Sequence, residues 1–344
     1  MKSLPTISIV TCLFNSDLIF FRKGLSSIEN QHYPKKLIEH IVMDGGSTNG
    51  SMELAKKYGC KVFIRKDLLE EAQERMAIGI KKAKNDLILI LEADNILSSR
   101  NWLMEMIQPF LADKRIFCTY SAYYGYNKSL PATTRYSALF GTPEPTVYFL
   151  KKNEKISIVD KHYDKGEILG ETKNYFVVRF KRENLPVLGD NGSLFLRSAM
   201  EKVNIDPEVY AHPDAFAKLL DLGYDTFGVV KNGIIHIANP NILGMVKGKL
   251  WLKKVYYDHQ RYKRIYYVFS WRSKKDIFNV MKFIFFSITI IIPIFEAVRG
   301  FIKIRDLAWF LHPVICLAML FGYGWSEILW IKKRLMFSSF ASQL

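Results

Sequence analysis

Cysteine is scarce in this sequence, and the few cysteines are widely scattered. Cys12, Cys60, Cys118 and Cys316 form no CxxC pair and have no histidine nearby at a spacing suited to zinc. This pattern excludes a zinc-finger protein and a small disulfide-stabilised domain. We expect four buried thiols in a reducing compartment.

Acidic residues are scarce in the carboxyl-terminal third of the chain. Residues 241–344 contain five Asp and Glu against 17 Lys and Arg, whereas residues 1–240 contain 28 against 32. The formal net charge of +16 is therefore concentrated in the last third. Such a basic segment indicates a polyanionic partner, either nucleic acid or an anionic membrane surface.

The amino terminus has only a short apolar run. Residues 7–14 are mostly apolar and are followed at once by Asn15, Ser16 and Asp17, without a small-residue cleavage site. The run predicts a first strand rather than a signal peptide, so we expect the amino-terminal domain to stay in the cytosol. The length of 344 residues predicts one sizeable core with an appendage.

Short apolar runs alternate with helical patterns in the first 240 residues, which we interpret as one domain. Strands are predicted at 7–14, 38–43, 61–64, 87–91 and 116–122, with helices between them, such as those over 68–83 and 101–111. Further strands are predicted at 175–180, 227–230 and 234–237, with a helix over 214–222. This alternation predicts the α/β class, with a Rossmann-like, mostly parallel sheet flanked by helices.

Residues 123–173 interrupt the regular alternation. They mix Tyr, Pro, Gly and charged residues without a sustained period. Long segments of this kind in a compact domain are usually functional lids or are disordered. We therefore expect an irregular insertion across the surface of the domain.

Two carboxylates follow the most apolar predicted strand, residues 87–91. Glu92 and Asp94 stand where this strand would reach the carboxyl edge of a parallel sheet, where open α/β sheets bind their ligands. Such a pair suits Mg²⁺ or Mn²⁺, and these cations commonly hold a diphosphate. The alternative is a simple turn in which Ser98 or Ser99 caps the next helix.

A basic and aromatic segment, residues 247–272, opens the carboxyl-terminal region. Helical spacing puts Trp251, Val255, Tyr262, Tyr266 and Phe269 on one stripe. A basic helix rich in Trp and Tyr is typical of a membrane interface, and we predict an interfacial amphipathic helix within 241–276. A nucleic-acid-binding surface of basic and stacking residues is the competing interpretation.

Two long apolar segments follow and favour the membrane. Residues 277–295 carry one charge, Lys282, and residues 307–326 carry none, so each approaches the length that spans a bilayer. We predict two transmembrane helices within 277–334 and a short tail, 335–344, with both flanks in the cytosol. One alternative is a buried hairpin of two helices in a soluble protein. Another is a re-entrant or in-plane pair of helices, which the basic residues of the connecting segment 296–306 fit equally well.

The order of four features gives the chain a family resemblance. Thr11 lies on the first strand, Asp44 ends the second, Glu92-Ala93-Asp94 follows the fourth, and His212-Pro213-Asp214 opens a late helix. Together with the stretches PTISIVTCLFNS and IVMDGGSTNGS, over residues 6–237, this order resembles the family 2 glycosyltransferases. The resemblance implies a GT-A fold and inverting transfer of a sugar from a nucleotide donor.

The same resemblance implies how the donor is bound. Thr11 and Asp44 would contact the nucleotide, although Asn49 stands where the family usually has a second Asp. Asp94 would bind a Mn²⁺ or Mg²⁺ ion on the donor phosphates, and Glu92 would contact that ion or the sugar. His236 is a further candidate ligand for phosphate or metal, with a satisfied core histidine as the alternative.

Inversion requires one general base to take the proton of the acceptor hydroxyl. Asp214 occupies the family's position for that base, but the usual preceding acid is replaced by Pro213; Asp190 is the fallback. Asn191 and Gly192 would form the floor of the acceptor pocket. Residues 260–264 do not match the Gln-x-x-Arg-Trp element of processive members, which argues against a polymerising synthase.

The leading hypothesis is thus a multi-pass membrane enzyme with a cytosolic catalytic domain and a lipid-linked acceptor, either a polyprenyl phosphate or a lipid-linked saccharide. A transferase for surface polysaccharide is an alternative. A sugar nucleotidyltransferase would need a glycine-rich basic loop after the first strand, which residues 11–17 lack. A non-enzymatic adaptor, binding membrane or nucleic acid through the basic region alone, would tolerate Asn at Asp44, Asp94 and Asp214.

Overall fold

A ten-stranded mixed sheet forms the centre of the catalytic domain. The computed structural model describes residues 3–237, 239, 241–258 and 263–341. The strands lie in the order β3-β2-β1-β4-β9-β6-β10-β8-β7, with β5 paired to β10. Their bounds are β1 (Ile7–Leu13), β2 (Ile38–Asp44), β3 (Lys61–Ile64), β4 (Leu87–Leu91), β5 (Asn95–Leu97), β6 (Ile116–Tyr124), β7 (Glu167–Glu171), β8 (Tyr175–Arg179), β9 (Asn191–Leu196) and β10 (Thr226–His236).

The sheet changes from parallel to mixed across its width. Strands β3, β2, β1 and β4 are parallel neighbours, as the sequence predicted. Strand β9 then inserts antiparallel between β4 and β6, and β8 and β7 extend the other edge antiparallel. The prediction of a mostly parallel sheet is therefore wrong for the second half, where β10 is also one strand rather than two.

Helices cover both faces of the sheet and connect its strands. Two apolar cores result, one on each face, and the helices that flank the sheet close them. The amino-terminal domain helices are α1 (Leu18–Glu29), α2 (Ser51–Lys57), α3 (Ala72–Lys82), α4 (Trp102–Ala112), α5 (Ala132–Phe140), α6 (Pro145–Phe149), α7 (Arg197–Lys202) and α8 (His212–Asp221).

The segment 123–173 is more regular than its composition suggested. It contains the end of β6, the helices α5 and α6, and the strand β7. Tyr136, Leu139 and Phe140 of α5 pack with the carboxyl-terminal helices in a third apolar core. The expectation of an irregular segment is therefore wrong for α5, α6 and β7, which are ordered by partners far away in the sequence. It agrees with residues 150–166, which contain no helix and only an isolated β-bridge at Asn153.

The basic region does not form one interfacial helix. Helix α9 (Ile242–Leu252) continues into a π-helical turn, Lys253–Asp258, and residues 264–273 contain no helix or strand. Tyr266 is buried in the core of the catalytic domain, where its hydroxyl donates to the Leu185 carbonyl at 2.9 Å. Tyr266 and Phe269 of the predicted stripe therefore lie outside any helix. Tyr262 of the stripe and the mismatched residues 260–262 lie outside the described residues.

The apolar carboxyl-terminal region forms three helices rather than two. Helix α10 (Lys274–Thr289) meets α11 (Ile291–Lys303) at an angle of 83°, and the two are separated only by Ile290. Helix α12 (Leu311–Ala341) follows. Within the described residues, one helical segment, Leu307–Lys332, is long and apolar enough to cross a membrane, and only 17% of its most apolar window is buried. The predicted first span, residues 277–295, thus lies in the bent pair α10–α11. Residues 335–341, predicted as part of the tail, belong to α12.

Candidate active site

The acidic turn after β4 lies at the centre of the candidate site. Residues Leu87–Leu91 are all buried, and the chain then turns back as the Asn95 N–H donates to the Glu92 carbonyl at 3.0 Å. Strand β5 follows and pairs with the end of β10. Because the turn lies between β4 and β10, it brings Glu92 and Asp94 to the edge where β9 begins.

Two amides connect the acids of two different strands. Asn95 Nδ2 lies 3.1 Å from Asp94 Oδ1 and donates to Asn191 Oδ1 at 3.0 Å. Asn191 Nδ2 in turn donates to Asp190 Oδ1 at 2.9 Å. A continuous hydrogen-bonded chain therefore runs from Asp94 to Asp190. Asn95 and Asn191 are both buried, so this chain holds the two acids at fixed positions.

Asp94 and His236 are the two side chains of the site that could hold a metal ion together. His236 Nε2 lies 3.3 Å from Asp94 Oδ2, and His236 Nδ1 is buried with no hydrogen-bond partner among the described residues. Burial lowers the pKa of His236, but Asp94 and Asp190 outweigh it and raise that pKa above its ordinary value. One carboxylate and one imidazole fit a divalent cation that takes its other ligands from phosphate and water. In the described part of the chain, no group of three His, Cys, Asp or Glu side chains is arranged to hold a metal alone.

Glu92 stands beside this pair in a strongly acidic setting. Burial first, and then the nearby carboxylates of Asp94 and Asp190, raise the pKa of Glu92 well above its ordinary value; Arg75 opposes them. A carboxyl group in such surroundings favours its protonated form until a cation arrives. The clustered carboxyl groups therefore favour the binding of a cation.

Thr11 and Asp44 are buried, and their polar atoms contact the protein. The Thr11 hydroxyl donates to the Leu91 carbonyl at 2.7 Å and lies 2.9 Å from His40 Nε2. Asp44 Oδ2 accepts the N–H groups of Gly46 and Ser47, both at 2.9 Å. These contacts fix β1 against β4 and shape the loop after β2, which borders the site.

Asp214 is held by a segment that follows α9. Arg264 Nη1 lies 2.9 Å from Asp214 Oδ2, and both side chains are largely buried. Asp214 Oδ1 accepts the backbone N–H groups of Tyr266 at 2.7 Å and of Ile265 at 3.2 Å. Three donors therefore occupy this carboxylate, and it anchors residues 264–266 to the start of α8.

The Asp190 carboxylate accepts fewer hydrogen bonds than that of Asp214: among the described residues, Asn191 donates to it. Burial favours a higher pKa for Asp190, but His212, His236, Lys249 and Lys155 together lower that pKa below its ordinary value. His212 is buried beside it, and the Nε2 atom of His212 has no hydrogen-bond partner among the described residues. Burial lowers the pKa of His212 to about 4, so its imidazole is neutral at pH 7.

The fold brings the predicted acceptor floor into contact with the sheet. Asn191 is part of the amide chain, whereas Gly192 adopts a left-handed conformation with φ of 77°. A Cβ atom at Gly192 would lie 2.6 Å from Ile234 Cδ1 and 3.2 Å from Trp102. The small size of Gly192 is therefore required by β10 and α4.

A buried ion pair from the segment 123–173 completes the site. Lys155 Nζ lies 2.5 Å from Glu154 Oε1 and 3.3 Å from the Asn191 carbonyl oxygen. Burial, partly opposed by Lys155, raises the pKa of Glu154 to about 7. Glu154 also interacts electrostatically with Asp190 and His236, so its charge influences the whole acidic cluster.

A cavity of about 610 Å³ leads from this cluster towards the carboxyl-terminal helices. Asp190, His212 and Asp214 line its polar part. Apolar side chains of α10 and α12, among them Phe283 and Leu320, line the rest. One space therefore joins the acids of the catalytic domain to the apolar helices.

Several of these residues had no interpretable signal in the sequence. Arg264 lies in a segment predicted as helix, and its partner Asp214 is 50 positions away. Glu154 and Lys155 lie in the segment without periodicity. Asn95, by contrast, directly follows Asp94, and its amide would have been a reasonable candidate from position alone.

A mixed sheet of this order, with acids where β4 ends and β9 begins, is the arrangement that the resemblance to the family 2 glycosyltransferases implied. The family model for glycosyl transferase family 2 matches residues 8–203, more than half of the chain. The chain therefore belongs to glycosyl transferase family 2.

Two curated relatives match shorter parts of the chain. Glycosyltransferase AglE of Haloferax volcanii is 26% identical over 97 residues, which cover 27% of this chain and 32% of that protein. Polypeptide N-acetylgalactosaminyltransferase 8 of Drosophila melanogaster is 27% identical over 130 residues, which cover 35% of this chain and 21% of that protein. The chain thus spans a third or less of the length of these relatives.

One solved structure resembles the fold over almost the full chain. The mannosyltransferase PcManGT from Pyrobaculum calidifontis, in complex with GDP-Man and Mn²⁺, matches with a TM-score of 0.53. The match covers 95% of this chain and 88% of the other, at 11% sequence identity. It supports the GT-A fold, which agrees with the family assignment.

Proposed function

We propose that this glycosyltransferase moves a sugar, with inversion, from a nucleotide-sugar donor to a lipid-linked acceptor at the cytosolic face of a membrane. The observation that carries the proposal is the 610 Å³ cavity. Its polar end holds Asp190 and Asp214, and its other end is lined by apolar residues of α10 and α12, among them Ile284 and Leu320. A lipid-linked acceptor has this same combination of a polar group and an apolar chain.

The donor occupies the edge where β4 and β10 end. Asp94 and His236 would hold Mn²⁺ or Mg²⁺, and the imidazole nitrogen favours Mn²⁺. When bound, the cation would neutralise charge on the departing nucleoside diphosphate. Glu92 supports the cation or contacts the sugar, while Thr11 and Asp44 support the nucleotide by fixing the strands and the loop beside it.

Asp190 serves as the general base, and Asp214 is a positioning residue. Asp190 accepts one hydrogen bond from Asn191, so its other oxygen can receive the proton of an acceptor hydroxyl. Asp214, in contrast, is occupied by Arg264 and two backbone donors. A base at this position favours a hydroxyl acceptor, as in a lipid-linked saccharide, because a phosphate acceptor is already ionised.

Membrane attachment rests on the carboxyl-terminal helices. The segment Leu307–Lys332 is long enough to span a bilayer, and little of it is buried by the protein. A core helix of a soluble protein would be mostly buried. The bases that flank the apolar helices favour a cytosolic position for the catalytic domain.

The experiment is a panel of nucleotide sugars incubated with detergent-purified protein and Mn²⁺ or Mg²⁺. Release of nucleoside diphosphate is measured with no acceptor, with a water-soluble sugar, with polyprenyl phosphate, and with a lipid-linked saccharide. GDP-mannose with Mn²⁺ is the first pair to test, because PcManGT was solved with both. The proposal predicts release that depends on a lipid-linked acceptor; release that a water-soluble sugar supports equally well would contradict it.

A further inference from the structure

A second cavity, of about 450 Å³, lies between the segment 139–165 and the bent helix pair α10–α11. It is separate from the acceptor cavity, because α6 and α10 form a wall between the two. Tyr148 and Phe286 face the second cavity, while Val147 and Phe283 line the first. The second cavity therefore belongs neither to the donor site nor to the acceptor site.

Most of the charged side chains that line this cavity are basic. Five bases contribute to the lining, namely Lys151, Lys165, Lys282, Arg299 and Lys303, against the acids Asp160, Asp164 and Glu296. Asp164 is paired with Lys165 at 2.5 Å, and Glu296 accepts from the Tyr148 hydroxyl at 3.1 Å and lies 3.1 Å from His312 Nε2. The pair of Asp164 and Lys165 cancels, so four bases remain against Asp160 and Glu296, and the cavity keeps an excess of positive charge.

The outer sides of the same two helices are apolar and exposed. On α10, Phe278, Met281, Phe285 and Ile288 follow one another at spacings of three and four residues, so they form one stripe. On α11 an equivalent stripe is formed by exposed residues, namely Ile291, Ile294, Phe295, Val298 and Ile302. Three basic side chains of the cavity therefore lie on the same two helices as exposed apolar stripes that suit the acyl chains of lipids.

We propose that this cavity binds the phosphate headgroup of an anionic membrane phospholipid, whose acyl chains lie along the α10–α11 stripes. The inference rests on the membrane attachment proposed above. Arg299 and Lys303 are one helical turn apart on α11 and line the cavity with Lys282 of α10. Arg299 and Lys303 can therefore contact one phosphate from the same side of α11. The Lys282 ammonium lies over the Phe278 ring, 4.3 Å from its centroid, and adds positive charge beside the acyl-chain stripe.

Calorimetric titration of the detergent-purified full chain tests the proposal. The probes are short-chain phosphatidylglycerol, short-chain phosphatidylcholine, and glycerol phosphate, which carries the phosphate without acyl chains. The variant is R299Q/K303Q. Its matched control, K274Q/K275Q, removes the same charge from exposed positions of α10 outside the cavity.

We expect the wild type and the control to bind phosphatidylglycerol more tightly than phosphatidylcholine. R299Q/K303Q should weaken binding of phosphatidylglycerol by roughly thirtyfold. Binding of phosphatidylcholine should weaken less, because its choline cation already opposes the positive charge of the cavity. Equal affinity of the wild type and R299Q/K303Q for phosphatidylglycerol would overturn the proposal, as would glycerol phosphate binding as tightly as phosphatidylglycerol. If R299Q/K303Q unfolds, K282Q replaces it, with a smaller expected loss.

The same preparations separate this inference from the proposed function. Sugar transfer to a lipid-linked acceptor is assayed in parallel with lipid binding. Transfer without charge-selective lipid binding overturns the second site only. Charge-selective lipid binding without any transfer contradicts the proposed function and leaves the second site standing.

Discussion

Asp214 and Arg264 form a buried ion pair, with their charged atoms 2.9 Å apart, that ties the start of α8 to the segment following α9. Through this pair the basic region is fastened to the catalytic domain next to the acceptor cavity. We therefore propose a positioning role for Asp214, the side chain predicted to remove a proton, and the role of general base for Asp190.

Breaking the pair between Asp214 and Arg264 should destabilise the protein. Because both side chains are largely buried, R264Q leaves an unmatched carboxylate and should lower the free energy of unfolding by about 3–5 kcal/mol. Chemical denaturation measures the change. The control is R182Q, which removes the exposed Arg182–Asp221 pair at the other end of α8 and should cost under about 1 kcal/mol. Equal effects of the two substitutions would contradict the anchoring role.

The role of Asp190 depends on the acceptor. D190N should lower the rate of transfer to a hydroxyl about 10²–10⁴-fold, because a general base contributes about that much. Transfer to a polyprenyl phosphate, whose acceptor oxygen is already ionised, should change far less. The control is D221N, at the distant end of α8. A D190N enzyme that transfers to a hydroxyl at the wild-type rate would exclude Asp190 as the base.

Metal dependence should follow Asp94 and His236. Chelation should abolish donor binding, and Mn²⁺ should restore it better than Mg²⁺ because one ligand is an imidazole. D94N and H236Q should each weaken Mn²⁺ binding in the presence of a nucleoside diphosphate, measured by calorimetry. D113N, which alters an acid remote from β4, serves as the control. Unchanged Mn²⁺ affinity in both site variants would rule out this pair as ligands.

Glu154 should make stability depend on pH. Its pKa is about 7 in the folded protein and about 4.5 when exposed, so the folded state retains a proton that the unfolded state releases. Rising pH across this interval therefore favours unfolding. Compared with E154Q, the wild type should lose up to about 3 kcal/mol of unfolding free energy between about pH 4.5 and pH 7. A difference between the two proteins that does not vary with pH would contradict this assignment.

The amino-terminal half of the fold could be read from the sequence because its signals are local. Each strand from β1 to β4 is a short apolar run, and the acids that follow β4 mark the edge of the sheet. Strand β9 also has an apolar pattern, but its antiparallel insertion between β4 and β6 depends on partners about 75 and 100 residues away. Sequence periodicity carries no information on such pairing.

The errors in the carboxyl-terminal part have a related cause. Aromatic residues at helical spacing predicted a helix through Tyr266. The Tyr266 ring is instead buried in the core of the catalytic domain, and the backbone N–H of Tyr266 donates to Asp214. An apolar run of 19 residues predicted one span, but the chain bends at Ile290, which adopts a left-handed conformation with φ of 61°. At Tyr266, tertiary contacts override local propensity.

The most direct test of the lipid-linked acceptor is to narrow the apolar part of its cavity. Gly324 lines the cavity, and a Cβ atom added there would meet nothing within 4 Å, so G324L inserts a side chain without a backbone clash. Gly248 of α9 has equally open surroundings but does not line the cavity, and G248L is the matched control.

The measurement is the KM for acceptors that differ only in the length of their apolar chain. We expect G324L to raise the KM for a long-chain acceptor and to leave the KM for a short-chain analogue unchanged, whereas G248L should alter neither. An unchanged KM of G324L for the long-chain acceptor would contradict the proposal that this cavity holds the acceptor lipid.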